Sequence, residues 1–259
     1  MRNRESSINA RARVRIGVVV PYSNTNLESD MILLRPAAAS LHFARAGGYD
    51  LDMTPDSDQM RQFALASLEP TIAALAAVRP HLILYGCTSA TISHGREFDL
   101  QFAEAIRQQA GVLAITAAGA LVEALRSLNV KRIAFSSPYV ESLNREATAF
   151  LEGCGIHTVS RAYVGEDLGN YGQGALTPEE VFELGCRADH RDAEALVLSC
   201  TDLRAVEAIE ALERRLMKPV VTSNQALMYC AVKRLGLDMA TLPRIGRLLS
   251  GAETSALTV

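Results

Sequence analysis

Short runs of Val, Ile and Leu punctuate this chain, and the longer stretches between them carry apolar residues at helical spacing. This alternation predicts a parallel-sheet α/β architecture, in which strands buried on both faces read as continuous apolar runs. Strands are expected near 15–20, 40–45, 81–86 and 112–116, and again near 131–136, 156–161, 194–199 and 219–222. Between them, Phe98, Phe102 and Ile106 fall on one helical face that stops at Gly111. Leu203, Val206, Ile209, Leu212 and Leu216 form a comparable stripe ending before Pro219. Pro70 interrupts a helical region, which predicts two helices with Pro70 in the first turn of the second.

Two groups of four strands suggest an internal duplication, and the sequence contains one. Arg15-Ile16, four residues, then Pro21-Tyr22 recurs 117 residues later as Arg132-Ile133, four residues, then Pro138-Tyr139. Residues 82–88 (L-I-L-Y-G-C-T) match 195–201 (A-L-V-L-S-C-T), and Ile115-Thr116 with Ala120-Leu121 matches Val221-Thr222 with Ala226-Leu227. Three matches in one order predict two α/β halves, 1–119 and 120–259, with the last helices able to pack back on the first half. Each half is expected to hold a four-stranded parallel sheet flanked by helices.

Composition narrows the chemistry. Of 259 residues, 49% are hydrophobic and none is Trp, so the cores must be aliphatic. A net charge of −3 gives no nucleic-acid footprint, and no apolar run reaches the roughly 18 residues of a membrane span. Arg2, Arg4, Arg11, Arg13 and Arg15 lie in a stretch with no apolar segment, which reads as a solvated tail rather than an export signal. Five cysteines without an export signal imply free thiols in a reducing compartment, the cytoplasm. There is no CxxC, and His42, His81, His94, His157 and His190 have no ligand spacing, so neither a metal nor another cofactor is expected.

In open parallel sheets, ligands bind beyond the carboxyl ends of the strands. The polar clusters 21–26, 86–89, 136–139 and 199–202 fall there, and facing halves would bring them to one cleft. Cys87 and Cys200 each end a strand and precede a helix, where free N–H groups and the helix dipole are expected to lower a thiol from about 8.5 toward neutrality. Two such thiols can attack or deprotonate from one side of a carbon and protonate from the other. Cys154, Cys186 and Cys230 read as packing residues. Thr88, Ser89 and Tyr139 offer hydrogen bonds to a carboxylate or developing enediolate. Asn24 reads either as a carboxylate or thiol partner or as a turn residue. Asp202 is expected to cap the helix after it. The glycine-rich stretch 169–174 follows no strand and opens no helix, so a substrate-covering loop bearing Asn170 is preferred over a dinucleotide site.

These residues resemble the aspartate/glutamate racemase superfamily, and within it the maleate cis–trans isomerase and arylmalonate decarboxylase branch. The likeness spans about residues 13 to 235. It rests on V-V-P-Y-S-N-T at 19–25, G-C-T-S at 86–89, Pro138-Tyr139, Asn170, S-C-T at 199–201 and K-P-V-V-T-S-N-Q-A at 218–226. The resemblance implies two flavodoxin-like halves about a pseudo-two-fold axis, a small carboxylate substrate and a homo-oligomer (a dimer or dimer of dimers). It implies Cys87 as nucleophile, Cys200 as proton donor, and Asn24, Thr88, Ser89, Tyr139, Asn170 and Thr201 as substrate-binding positions. Arylmalonate decarboxylases resemble one-cysteine enzymes with glycine at the position of Cys87, which leaves a decarboxylase or racemase as the alternative to an isomerase. Tyr22 stands where the resemblance implies a small residue.

Overall fold

The computed structural model describes residues 14–47 and 55–251. The arginine-rich start, apart from Arg15, lies outside them. Among the described residues, eight strands form two four-stranded sheets, parallel throughout. The first contains β1 (Val14–Pro21), β2 (Ala39–Ala46), β3 (Leu82–Tyr85) and β4 (Leu113–Thr116), in the order β2-β1-β3-β4. The second repeats that order with β5 (Arg132–Ser137), β6 (His157–Tyr163), β7 (Ala195–Leu198) and β8 (Val220–Thr222), as β6-β5-β7-β8. The duplicated motifs fall on equivalent elements: Ile16 pairs with Leu82 as Ile133 pairs with Ala195.

The shared Arg-Ile motif has a structural reason. Arg15 donates from Nε and Nη2 to the carbonyl of Arg79, and Arg132 donates from Nε to the carbonyl of Asp192. In each half the arginine at the start of the first strand thus ties down the loop leading into the third.

Strand alternation separates two apolar layers. Ile16, Val18 and Val20 face a core continuous with that of the second half, while Val19, Ile83 and Tyr85 pack with Ile72, Phe102 and Ile106 on the outer face of the first sheet. Helix Ser223–Arg234 is buried over most of its length and packs against helix Ala117–Ser127, which joins the two sheets, and against helix Leu27–Leu34. Pro70 lies in the first turn of helix Leu68–Ala76, directly after helix Ser57–Ala66. The stripe from Leu203 to Leu216 is not one helix: Leu203 lies in a turn, Val206–Ala208 is a 3-10 turn, and the α-helix starts at Ile209.

Candidate active site

Within each sheet the strand order reverses between the first and third strands, where neighbouring crossovers diverge and leave a crevice at the carboxyl ends. The loops after β1, β3, β5 and β7 meet there. Tyr22, Asn24, Cys87, Ser89, Tyr139, Asn170, Cys200 and Thr201 all line one cleft, as does Thr88. Every residue expected at the site from the sequence is therefore brought together. Among the described residues, no Lys, Arg or His side chain lines the cleft.

Close backbone contact makes this possible. A Cβ on Gly86 would collide with Leu27 Cδ2 and approach the Val19 carbonyl, so only glycine lets β3 turn into the cysteine loop here. Cys200 takes φ of 154°, a conformation L-residues seldom adopt and one that costs about 1–3 kcal/mol. Its N–H donates to Ser223 Oγ (3.3 Å) and the Ser199 N–H to the Ser136 carbonyl (2.8 Å), fixing the turn.

The two halves are stitched together by the same loops. Asn24 Nδ2 donates to Thr201 Oγ1 (3.1 Å), and Thr201 Oγ1 donates to the Gly86 carbonyl (2.7 Å). Thr88 Oγ1 donates to Ser223 Oγ (2.9 Å). The hydroxyl protons of Thr88 and Thr201 are thus committed across the interface, and both residues are buried. Asn24 also caps the first helix, accepting at Oδ1 from the N–H groups of Asn26 (3.1 Å) and Leu27 (2.8 Å). It thus serves the turn while also lining the cleft.

Three expectations need correction. Asp202 does not cap a helix of its own half, because no helix follows it until Val206. Its Oδ1 instead accepts from the N–H groups of Thr25 (2.7 Å) and Asn26 (3.1 Å), in the opposite half. Residues 169–175 are not a loop but a helix, Gly169–Ala175, with no buried residue. It docks through Ser23 Oγ to Asn170 Oδ1 (3.0 Å) and Asn26 Nδ2 to the Gly174 carbonyl (3.1 Å).

The third correction concerns the thiols, neither of which is lowered. Burial pushes Cys87 above the ordinary thiol value, against the Ser89 hydroxyl at 3.6 Å and the Ala90 and Ser89 N–H groups, which pull it back. The helix beginning at Ser89 is only four residues long, too short for a dipole that offsets desolvation. Cys200 is held much further up, by burial and then by the Asp202 carboxylate, with the Asp202 N–H opposing. No helix starts beside it. The equivalent position in the first half is Ser89, so one thiol faces a hydroxyl and the other a carboxylate.

Residues that the sequence reading passed over complete the frame. Asn144, fully buried, accepts from Ser137 Oγ (2.7 Å) and donates to the Tyr139 carbonyl (2.7 Å), which sets the phenol against Ser199 Oγ at 3.4 Å. Burial holds Tyr139 well above its usual value, so it stays a donor. Gln173 reaches Cys200, and Ser223 bridges Cys200 to Thr88. Among the described residues no group of three His, Cys, Asp or Glu could hold a metal ion.

The arylmalonate decarboxylase family model matches residues 16–249, both sheets and the whole cleft. The chain belongs to that family. Its relatives divide between two chemistries. A maleate isomerase of Nocardia farcinica is 31% identical over 252 residues, covering 94% of this chain and 98% of that protein. An arylmalonate decarboxylase of Bordetella bronchiseptica is 32% identical over 167 residues, covering 62% and 68% respectively. Among solved structures, the Nocardia farcinica maleate cis–trans isomerase, as a cysteine-to-serine mutant with a covalently bound succinylcysteine intermediate, matches with a TM-score of 0.83. That match is 29% identical and covers 91% of this chain and 98% of the other.

Proposed function

We propose that this family member is a cofactor-independent cis–trans isomerase of maleate or a related unsaturated dicarboxylate, acting through a covalent cysteine adduct. The observation that carries the reading is the pair of thiols lining one cleft from equivalent strand ends of the two halves. The succinylcysteine carried by the Nocardia farcinica relative is the adduct that such chemistry forms.

The thiolate of Cys87 adds to one alkene carbon. The π pair moves to the neighbouring carbon and into its carboxylate as an enediolate, and Cys200 gives its proton to that carbon. The former double bond is now single and rotates. Cys200 then removes the proton, the double bond re-forms, and the C–S bond breaks to return the Cys87 thiolate and the trans-diacid. The different surroundings of the thiols support this division: Cys200, buried beside the Asp202 carboxylate, stays protonated, whereas Cys87 has the Ser89 hydroxyl in that place, which opposes the effect of burial. Asn24, Ser89, Tyr139 and Asn170 supply side-chain donors for the carboxylates, and the loops of Thr88 and Thr201 supply backbone. Preorganised donors of this kind stabilise an enediolate without a cation.

Decarboxylation needs only one thiol to deliver a proton, so the presence of both favours the isomerase. Tyr22, 43% exposed, lines the cleft where the resemblance implies a small residue, which keeps the substrate at maleate or a related diacid. The same reading takes the enzyme to be a cytoplasmic homo-oligomer. No helix among the described residues is long and apolar enough to cross a membrane.

The test is turnover of maleate followed by proton NMR, with intact-protein mass spectrometry. Wild type should form fumarate, and Cys200→Ala should accumulate one maleate mass on Cys87. Absence of both product and adduct would overturn the proposal.

A further inference from the structure

The proton-donating thiol has a partner that the reaction outlined above does not use. Gln173 lies on helix Gly169–Ala175 and its Oε1 accepts from Cys200 Sγ at 3.3 Å. None of that helix's residues is buried, so Gln173 is not there to fill a core. It lines the cleft beside Cys200. We infer that Gln173 is a positioning residue for Cys200 that serves both protonation states of the thiol by turning its amide; this rests on the isomerase reading for its catalytic consequence.

Once Cys200 gives up its proton, a thiolate is left in a cleft lined, among the described residues, by no Lys, Arg or His. Such an anion needs hydrogen-bond donors. The Asp202 N–H at 3.4 Å is one and the Leu203 N–H a second, both from the backbone of one turn. The Asp202 carboxylate cannot be another, because it only accepts, and its Oδ1 is already bound to Thr25 and Asn26. A primary amide carries an acceptor and two donors on one carbon. Its terminal torsion is broad and roughly two-fold, so a half-turn replaces the carbonyl with the NH2 group. With the thiol present, the carbonyl aims the S–H. With the thiolate present, the NH2 group stabilises it. Asn170 sits on the same helix, so docking of this helix delivers a substrate donor and the thiol's partner together.

Among the described residues, the titratable side chains lining the cleft around this pair are Tyr22, Tyr85, Cys87, Tyr139 and Asp202. The decisive variant is Gln173→Glu. An ionised carboxylate accepts from the thiol but has no donor for the thiolate, and it repels that charge. A protonated carboxyl regains both roles. At pH 8, Gln173→Glu and Gln173→Ala should each lose at least about tenfold in kcat, the lower range for proton-transfer groups, with KM for maleate little changed. For Gln173→Glu, kcat should recover as pH falls toward about 6, against the wild-type trend set by Cys87 ionisation. A second readout needs no turnover. In peptide mass spectrometry after iodoacetamide at pH 8, Gln173→Glu should slow alkylation of Cys200 severalfold and leave Cys87 at the wild-type rate. A wild-type pH profile in both variants, or unchanged Cys200 alkylation in Gln173→Glu, overturns the inference. A wild type inactive on maleate whose Cys200 alkylation still depends on Gln173 overturns the isomerase reading and leaves the Gln173–Cys200 coupling in place.

Discussion

Replacing Gly174 with alanine would wedge the helix bearing Asn170 and Gln173 away from the opposite half. A Cβ at this position would lie 2.6 Å from Thr25 Oγ1 and 2.8 Å from Asp202 Oδ2. Neither neighbour moves freely: Asp202 is buried and holds the Thr25 and Asn26 amides, and Thr25 is anchored in return. Inserting one methyl into such a contact costs about 1–3 kcal/mol. Against it stand the two docking hydrogen bonds, Ser23 to Asn170 and Asn26 to the Gly174 carbonyl, each contributing about 0.5–1.5 kcal/mol. The terms are comparable, so the docked population should fall by roughly 5- to 150-fold, at 1.4 kcal/mol per decade. The cores should be spared, since no residue of the helix is buried. The assay is kcat/KM for maleate beside thermal unfolding and limited proteolysis. The expected result is a kcat/KM reduced by about tenfold or more, a Tm within a few degrees of wild type, and new cleavage within 165–176. An unchanged kcat/KM, or a collapse of Tm, would show that the helix is not wedged off by the added methyl.

Because burial holds Cys87 above the usual thiol value and the thiolate is the attacking form, kcat/KM should rise with pH through and beyond about 8.5; a maximum below neutrality would contradict this. Asp30 is buried and raised from 3.8 to about 7, so the folded protein binds the extra proton between those values and its stabilisation fades as pH rises through 7. Asp30→Asn should therefore stabilise the fold at pH 8 by up to about 4 kcal/mol while changing little at pH 4, as read from denaturant midpoints. Asn144→Ala removes hydrogen bonds to Ser137, Tyr139 and Val140 at a fully buried position and should cost about 2–4 kcal/mol in chemical unfolding. In the same variant kcat should drop, since the Tyr139 phenol loses its support.

The strands could be read from the chain because parallel strands covered on both sides leave unbroken apolar runs, as in residues 82–85 and 195–198. The duplication then placed both cysteines at equivalent strand ends without any structure. What escaped the sequence lies between the halves. Asp202 looks like a helix cap because aspartate after a strand often is one, but its partners are 177 residues away at Thr25 and 176 away at Asn26. Residues 169–175 carry three glycines, which argue against a helix; docking overrides that preference, and Gly174 is required by the close approach of Thr25 and Asp202. The thiols were expected to ionise readily, since local position is visible in sequence whereas desolvation is a property of the assembled cleft.

A planar alkene has two faces, and an enzyme built from two equal halves begins with no preference between them. Here the second residue after each cysteine breaks the tie, serine at 89 and aspartate at 202. The backbone remains a near-duplicate while the proton inventory does not, so on the isomerase reading side chains such as Asp202 and Gln173, rather than the strand order, tell the two arms apart. Exchanging Ser89 and Asp202 would therefore touch more than the thiols, because Asp202 also holds the Thr25 and Asn26 amides that join the halves.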